Sequence, residues 1–231
     1  MALIVLLSFA GSADAAVQVD NWADLRAAVN TAPIGTPFII EITASFDSAS
    51  GDPSNTAAIT IPADRNITLV SDVGGPFTLT QTATNQRHFI VEGTLTLEDV
   101  ILRGNAPPLQ YSAPIHGGVS VTSGGRFYMT DGQIMYTRQG SSGVVLVNTN
   151  ANFTMTGGII SNNTIPSGNG GGVRVDSGAI FLMDGGLITN NTFNGGSAGV
   201  FNNLGTFRFI NGAISNNTHV GPQTTWGGAG V

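Results

Sequence analysis

The sequence predicts an all-β chain wound as a right-handed, three-faced parallel β-helix, a solenoid of about seven coils behind a short N-terminal capping helix. Three observations lead there. The phrase FTMTGGIISNNT at 153–164 returns as FLMDGGLITNNT at 181–192 and as FRFINGAISNNT at 207–218. Its starts at Phe127, Phe153, Phe181 and Phe207 are 26, 28 and 26 residues apart. From Phe38 onward, short β-branched or aromatic segments such as FIIEIT, NITLV and TLTLEDVIL alternate with clusters of Gly, Asn, Asp, Ser and Pro, with no helical periodicity.

Taken in chain order, residues 1–15 read as a secretory signal peptide. An apolar run from Ala2 to Ala10 leads into the small-residue pattern Ala13-Asp14-Ala15, although no basic residue follows Met1. The run is too short to span a bilayer, and no later stretch is apolar enough to do so. Residues 16–35 hold the one convincing helix, VDNWADLRAAVNTA. Asp20 or Asn21 can cap it, Asp24 sits in its first turn, and Trp22, Leu25 and Val29 line one face before Pro33 and Gly35 end it. This helix is expected to plug the first coil, whose exposed edge would otherwise invite aggregation.

Residues 36–231 form the repeat region. Counting from the first apolar residue of a unit, Phe127, Met129 and Ile134 fall at offsets 0, 2 and 7, with Gly132 at offset 5. Phe153, Met155 and Ile160 repeat the pattern, as do Phe181, Met183 and Ile188, and then Phe207, Phe209 and Ile214. A looser copy, Leu95, Leu97, Val100 and Leu102, lies upstream. A spacing of two puts both residues of a strand on one face, while Tyr128, Thr154, Leu182 and Arg208 face water. A single unit cannot bury its own inward side chains, so Phe is expected to stack on Phe, Met on Met and Ile on Ile in successive coils. With coils about 4.8 Å apart, seven make a rod about 35 Å long. GV-type strands at Val119, Val145, Val173 and Val200 complete each unit. The chain stops at Gly230-Val231, the opening of another such strand, so a longer repeat region and end-to-end association through an uncapped last coil are expected.

The Asn-Asn-Thr endings place Asn162, Asn190 and Asn216 at equivalent corners. They are N-x-[ST] acceptor patterns, as are Asn66 and Asn152. Because the first three follow the period, the expectation is a structural corner ladder in which Asn adopts a left-handed backbone and bonds its counterpart one coil away.

Composition narrows the function. Charged residues are 10% of the chain against roughly 25% in ordinary soluble domains, and Gly accounts for 32 of 231 residues. Eight basic residues, all Arg, against 14 acidic ones give a net charge of −6, which provides no basic field for nucleic acid. With no Cys, disulfides, thiolate metal sites and Cys nucleophiles are excluded. His88, His116 and His219 fit no zinc spacing and read as turn residues, and no cofactor or metal is expected. The best catalytic candidates are Asp99 and Asp131, which share offset 4, with Arg126 nearby; an acidic pair with an Arg is what polysaccharide hydrolysis or elimination requires. The later units hold Gly157, Gly185 and Asn211 at that offset, so a turn role competes. Thr78, Thr80, Thr94 and Thr96 hint at a flat Thr-rich face of the ice-binding kind, but the outward positions are not uniformly Thr.

The stretch RHFIVEGTLTLEDVILRGN, together with the repeated FTMTGGIISNNT and its Gly-rich GGV return, resembles the pectate-lyase-like right-handed β-helix of bacterial adhesin-like surface proteins and polymorphic outer-membrane passenger domains, over residues 17 to 231. The resemblance implies an exported, noncatalytic, adhesin-like stalk that presents binding surfaces to a host, matrix or cell-surface ligand, carbohydrate among them. The rival expectation is a carbohydrate-active enzyme, a lyase or hydrolase of an acidic polysaccharide.

Overall fold

The computed structural model describes residues 16–105, 116–140, 142–166, 170–194, 197–220 and 230; the expected signal peptide lies outside them. Helix α1, Trp22–Thr31, begins where Asn21 turns its side chain back to accept a hydrogen bond from the Asp24 amide at 2.9 Å. Its buried face is Trp22, Leu25, Ala28 and Val29. Trp22 is wholly buried, its ring 6.2 Å from that of Phe89, while its Nε1 donates to the Ala57 carbonyl at 3.2 Å. The helix therefore seals the first coil with an apolar face and meets the polar needs of that face from the loop beside it. A strand the sequence did not suggest, Val17–Val19, precedes the helix and pairs in parallel with Pro37–Ile42, covering the edge of the first coil.

Behind the helix the chain is an all-parallel β-solenoid of about six turns. One sheet of six strands runs from Ile59–Ile61 through Phe89–Val91, Val119–Val121, Val145–Val147 and Val173–Val175 to Val200–Asn202. The other two sides merge into one 13-stranded sheet, because Ile180–Thr189 and Thr206–Ser215 run unbroken around a corner that earlier coils make with two separate strands. A small third sheet, Thr164–Ile165, Thr192–Phe193 and Thr218–His219, adds a fourth side to the later coils. The coil count is thus about six rather than seven. Strand Thr206–Ser215 opens a seventh turn, and residues 221–229 lie outside the described ones.

Register keeps like residues in file. Phe127 pairs with Phe153, Phe153 with Phe181 and Phe181 with Phe207, and the rings stack at centroid distances of 5.0, 4.7 and 5.0 Å. Met129, Met155 and Met183 are fully buried in the adjacent file, and Ile134, Ile160 and Ile188 in the next. Burying each such side chain stabilises the fold by about 1.5–3 kcal/mol. The files open at the last described turn: Phe207 and Ile214 are partly buried, and Phe209, though registered on Met183, is 52% exposed because no described residue lies over it.

Between the Met and Ile files the chain turns through Gly158 at φ 76°; a Cβ there would come within 2.6 Å of Met129 Cε and 2.9 Å of Asp131 O. That left-handed, crowded corner is why offset 5 is Gly. Among the described residues no helix is long and apolar enough to cross a membrane.

Candidate functional site

On the six-stranded sheet the inward residues are Val, Ile and Phe up to Val200, so the residues between them form an outward file. Ile90, Ser120, Leu146, Arg174 and Phe201 follow one another in register, about 4.8 Å apart. A groove of about 590 Å³ lies over the first part of this file, lined by Ile90, Ser120, Thr122, Asn148, Gln86 and Arg87 among others. Its floor is fixed by hydrogen bonds to the coils. Asn148 Nδ2 donates to Ser120 Oγ at 3.1 Å and to the Val121 carbonyl at 2.8 Å, and Thr122 Oγ1 donates to the Val91 carbonyl at 3.1 Å.

Arg87 forms one wall. Its guanidinium donates to the carbonyls of Val119 (2.9 Å), Val144 (3.0 Å) and Gly143 (3.2 Å) and to Ser142 Oγ (2.9 Å), so all these partners are neutral oxygens. Burial lowers its pKa to about 10, which still leaves it charged at neutral pH. Farther along the same face, Arg174 Nε donates to Asp176 Oδ1 at 2.8 Å, Asn203 Nδ2 donates to the same oxygen at 2.9 Å, and the Arg174 guanidinium carbon sits 5.9 Å from the Phe201 ring centroid. None of Arg87, Arg174, Asp176 and Phe201 carried a sequence signal beyond its place in a GV strand or the turn beside it.

Of the sequence-derived catalytic candidates, Asp99 and Asp131 fall at one corner of successive coils, between the registers Leu97↔Met129 and Ile101↔Gln133, whereas Arg126 lies off that corner. Asp99 occupies a left-handed corner at φ 47°, and the Asp131 carboxylate, one coil on, accepts the Gly132 amide at 2.7 Å. Both therefore act as turn residues. Arg126 stands at the start of its strand, paired with Thr94 and Asn152. About 10 Å of strand separates it from Met129 before the corner begins. Among the described residues no group of three or more His, Cys, Asp or Glu side chains is placed to hold a metal ion. The Thr residues also divide: Thr94 and Thr96 lie on one strand and Thr78 and Thr80 on another with a different partner, and the Thr68–Thr96 file continues into Tyr128.

The histidines differ from the turn residues that the sequence suggested. His88 is fully buried; its Nδ1 accepts the Gly118 amide at 2.9 Å, and its Nε2 lies 3.1 Å from Leu79 O and 3.0 Å from Arg103 O, so the proton resides on Nε2. Burial pushes its pKa down to about 4, with Arg87 adding to the shift and the backbone bonds opposing it. His116 is also buried, with Nδ1 2.9 Å from Ala83 O. His219 continues a file of Ile165 and Phe193.

At the Asn-Asn-Thr corners, Asn162, Asn190 and Asn216 take the left-handed backbone at φ 55°, 54° and 55°. The hydrogen-bonded ladder, however, lies one residue on, at Asn163, Asn191 and Asn217. Asn163 Nδ2 donates to Asn191 Oδ1 and Asn191 Nδ2 to Asn217 Oδ1, each at 2.9 Å. A left-handed residue turns its own side chain away from the coil, so the next one points inward and finds the partner. No family model, curated protein or solved structure matches this chain.

Proposed function

We propose that this chain is a noncatalytic, exported β-helix, displayed at or beyond the cell surface, where it acts as a stalk presenting a groove that binds a glycan or a matrix component. The observation that carries this reading is the groove on the six-stranded face. Gln86, Ser120, Thr122 and Asn148 offer amides and hydroxyls, the partners that sugar hydroxyls require, beside the charged guanidinium of Arg87, whose terminal N–H groups are held by the coils. These side chains alternate with core residues of a stacked sheet, so little ordering entropy is lost when a ligand arrives. Export is supported by the apolar run Ala2 to Ala10 and the Ala13-Asp14-Ala15 pattern. Binding to an array of neutral and acidic glycans and matrix proteins tests the reading. Ser120→Trp, which fills the groove from an outward position, is expected to abolish the binding without lowering the melting temperature. Binding that survives this substitution contradicts the assignment.

A second reading, a carbohydrate-active enzyme acting on acidic polysaccharide, draws on the Arg174–Asp176 pair beside the groove rather than on Asp99, Asp131 and Arg126. It requires reducing ends or unsaturated products from pectin-like substrates, lost in Asp176→Asn.

A further inference from the structure

The corner that holds Gly132, Gly158, Gly186 and Gly212 also creates a self-reactive site at Asn211. Gly212 sits at φ 101°, and a Cβ on it would meet the Gly186 carbonyl oxygen at 2.7 Å, so only Gly fits. The preceding position varies between coils as Asp131, Gly157, Gly185 and Asn211. Where Asn occupies it, the fold itself dictates an Asn-Gly pair. Here the Gly212 amide donates to Asn211 Oδ1 at 2.8 Å, which holds the backbone nitrogen against the side-chain carboxamide. The sheet does not compete for this nitrogen: pairing with Ile180–Thr189 runs Asp184↔Asn211 and then Leu187↔Ala213, a bulge that leaves Gly212 without a partner in the register. Both residues are exposed, so water and hydroxide reach them.

The geometry points to Asn211 as a site of spontaneous deamidation that proceeds in the folded protein. Base removes the Gly212 N–H proton, and the nitrogen attacks Asn211 Cγ. The new N–Cγ bond replaces the Cγ–Nδ2 bond, and ammonia leaves with the proton returned to it. The resulting five-membered imide takes up one water at either carbonyl carbon, giving aspartate or isoaspartate, with no oxidation or reduction at any step. A hydrogen bond that keeps the nitrogen beside the carboxamide it attacks provides the proximity that accelerates intramolecular reactions. The product carries a carboxylate one rung from Asp184, and like charges in neighbouring strands disfavour pairing. The reaction therefore turns a neutral corner into an anionic one and loosens strand Thr206–Ser215.

Peptide mapping by mass spectrometry, with isoaspartate detection, tests this on the full chain kept in mildly alkaline buffer, beside the same chain kept unfolded in denaturant. Asn211 is expected to convert in the folded chain at least as fast as in the unfolded one, while Asn190, which is followed by Asn, keeps its amide. Slower conversion in the folded chain overturns the proposal, because the fold would then protect the site. Asn211→Gln lengthens the side chain and is expected to stop ammonia release from this peptide; release that persists overturns the assignment. Asn211→Asp, which introduces the charge directly, is expected to speed hydrogen exchange across residues 206–215, and unchanged exchange contradicts the loosening.

Discussion

Asn163 and Asn191 are joined twice across one coil step: both the backbone amide and Nδ2 of Asn163 donate to Asn191 Oδ1, at 3.1 and 2.9 Å. Asn191 repeats the arrangement with Asn217, and each Nδ2 also reaches back to a carbonyl of the coil before, Ile134 for Asn163 and Ile160 for Asn191. The side-chain amides of Asn163 and Asn191 thus find their partners in the neighbouring coils. The ladder fastens coils along the axis on the side where strands are only two residues long.

Asn191→Ala should therefore cost about 2–4 kcal/mol, since it strands the Asn163 donors in a buried place and removes a link in a cooperative chain. Asn190→Gly next to it should change stability by less than about 1 kcal/mol, because Gly accepts the same left-handed backbone. Denaturant titration of the two variants distinguishes them, and equal losses would mean that the ladder does not run through Asn191.

Phe181→Asp places a carboxylate between the rings of Phe153 and Phe207. The expected loss is several kcal/mol, at least the about 3–5 kcal/mol of removing a buried aromatic ring. A thermal melt followed by circular dichroism should show a lower midpoint and a broader transition, as coils on either side lose their contact with each other.

His88 sets an acid limit. Its folded pKa, about 4, lies below the ordinary 6.5, so between those values the unfolded chain binds a proton that the folded chain refuses. Stability is then constant above the ordinary value and falls as the pH drops toward the folded one, by about 3 kcal/mol in total. Protonation would place a second N–H against the Gly118 amide that His88 Nδ1 now accepts. Denaturation midpoints across this range should show the slope in the parent and a reduced slope in His88→Gln.

Legibility in the sequence tracked how local each signal was. The Phe, Met and Ile files and the Gly corners were visible because burial by stacking demands the same side-chain shape at the same offset in every coil. The α1 face and its Asn21 cap were visible from spacing within one helix. The ladder was placed one residue early, since Asn162 and Asn163 are chemically identical and only the backbone angle decides which of them faces in. Arg87 and His88 gave no signal, because their partners are carbonyls of Val119, Val144, Leu79 and Arg103, and backbone atoms leave no trace in residue identity. Arg174 and Asp176 gave none for another reason. Arg174 lies on strand Val173–Val175 and Asp176 just past its end, two apart and hence on the same outward side, and what brings them into use is the groove-bearing sheet around them.

The rung spacing offers the most direct test of the solenoid. Ile39, Thr68, Thr96, Tyr128, Thr154, Leu182 and Arg208 form one outward file in unbroken register. The chain contains no Cys, so spin labels can be attached at engineered Cys residues alone. Pulsed electron paramagnetic resonance should give about 29 Å between Ile39→Cys and Arg208→Cys and about 24 Å between Thr68→Cys and Arg208→Cys, each rung adding about 4.8 Å. Distances that fail to shorten by one rung between these two pairs would contradict a stack of coils along one axis.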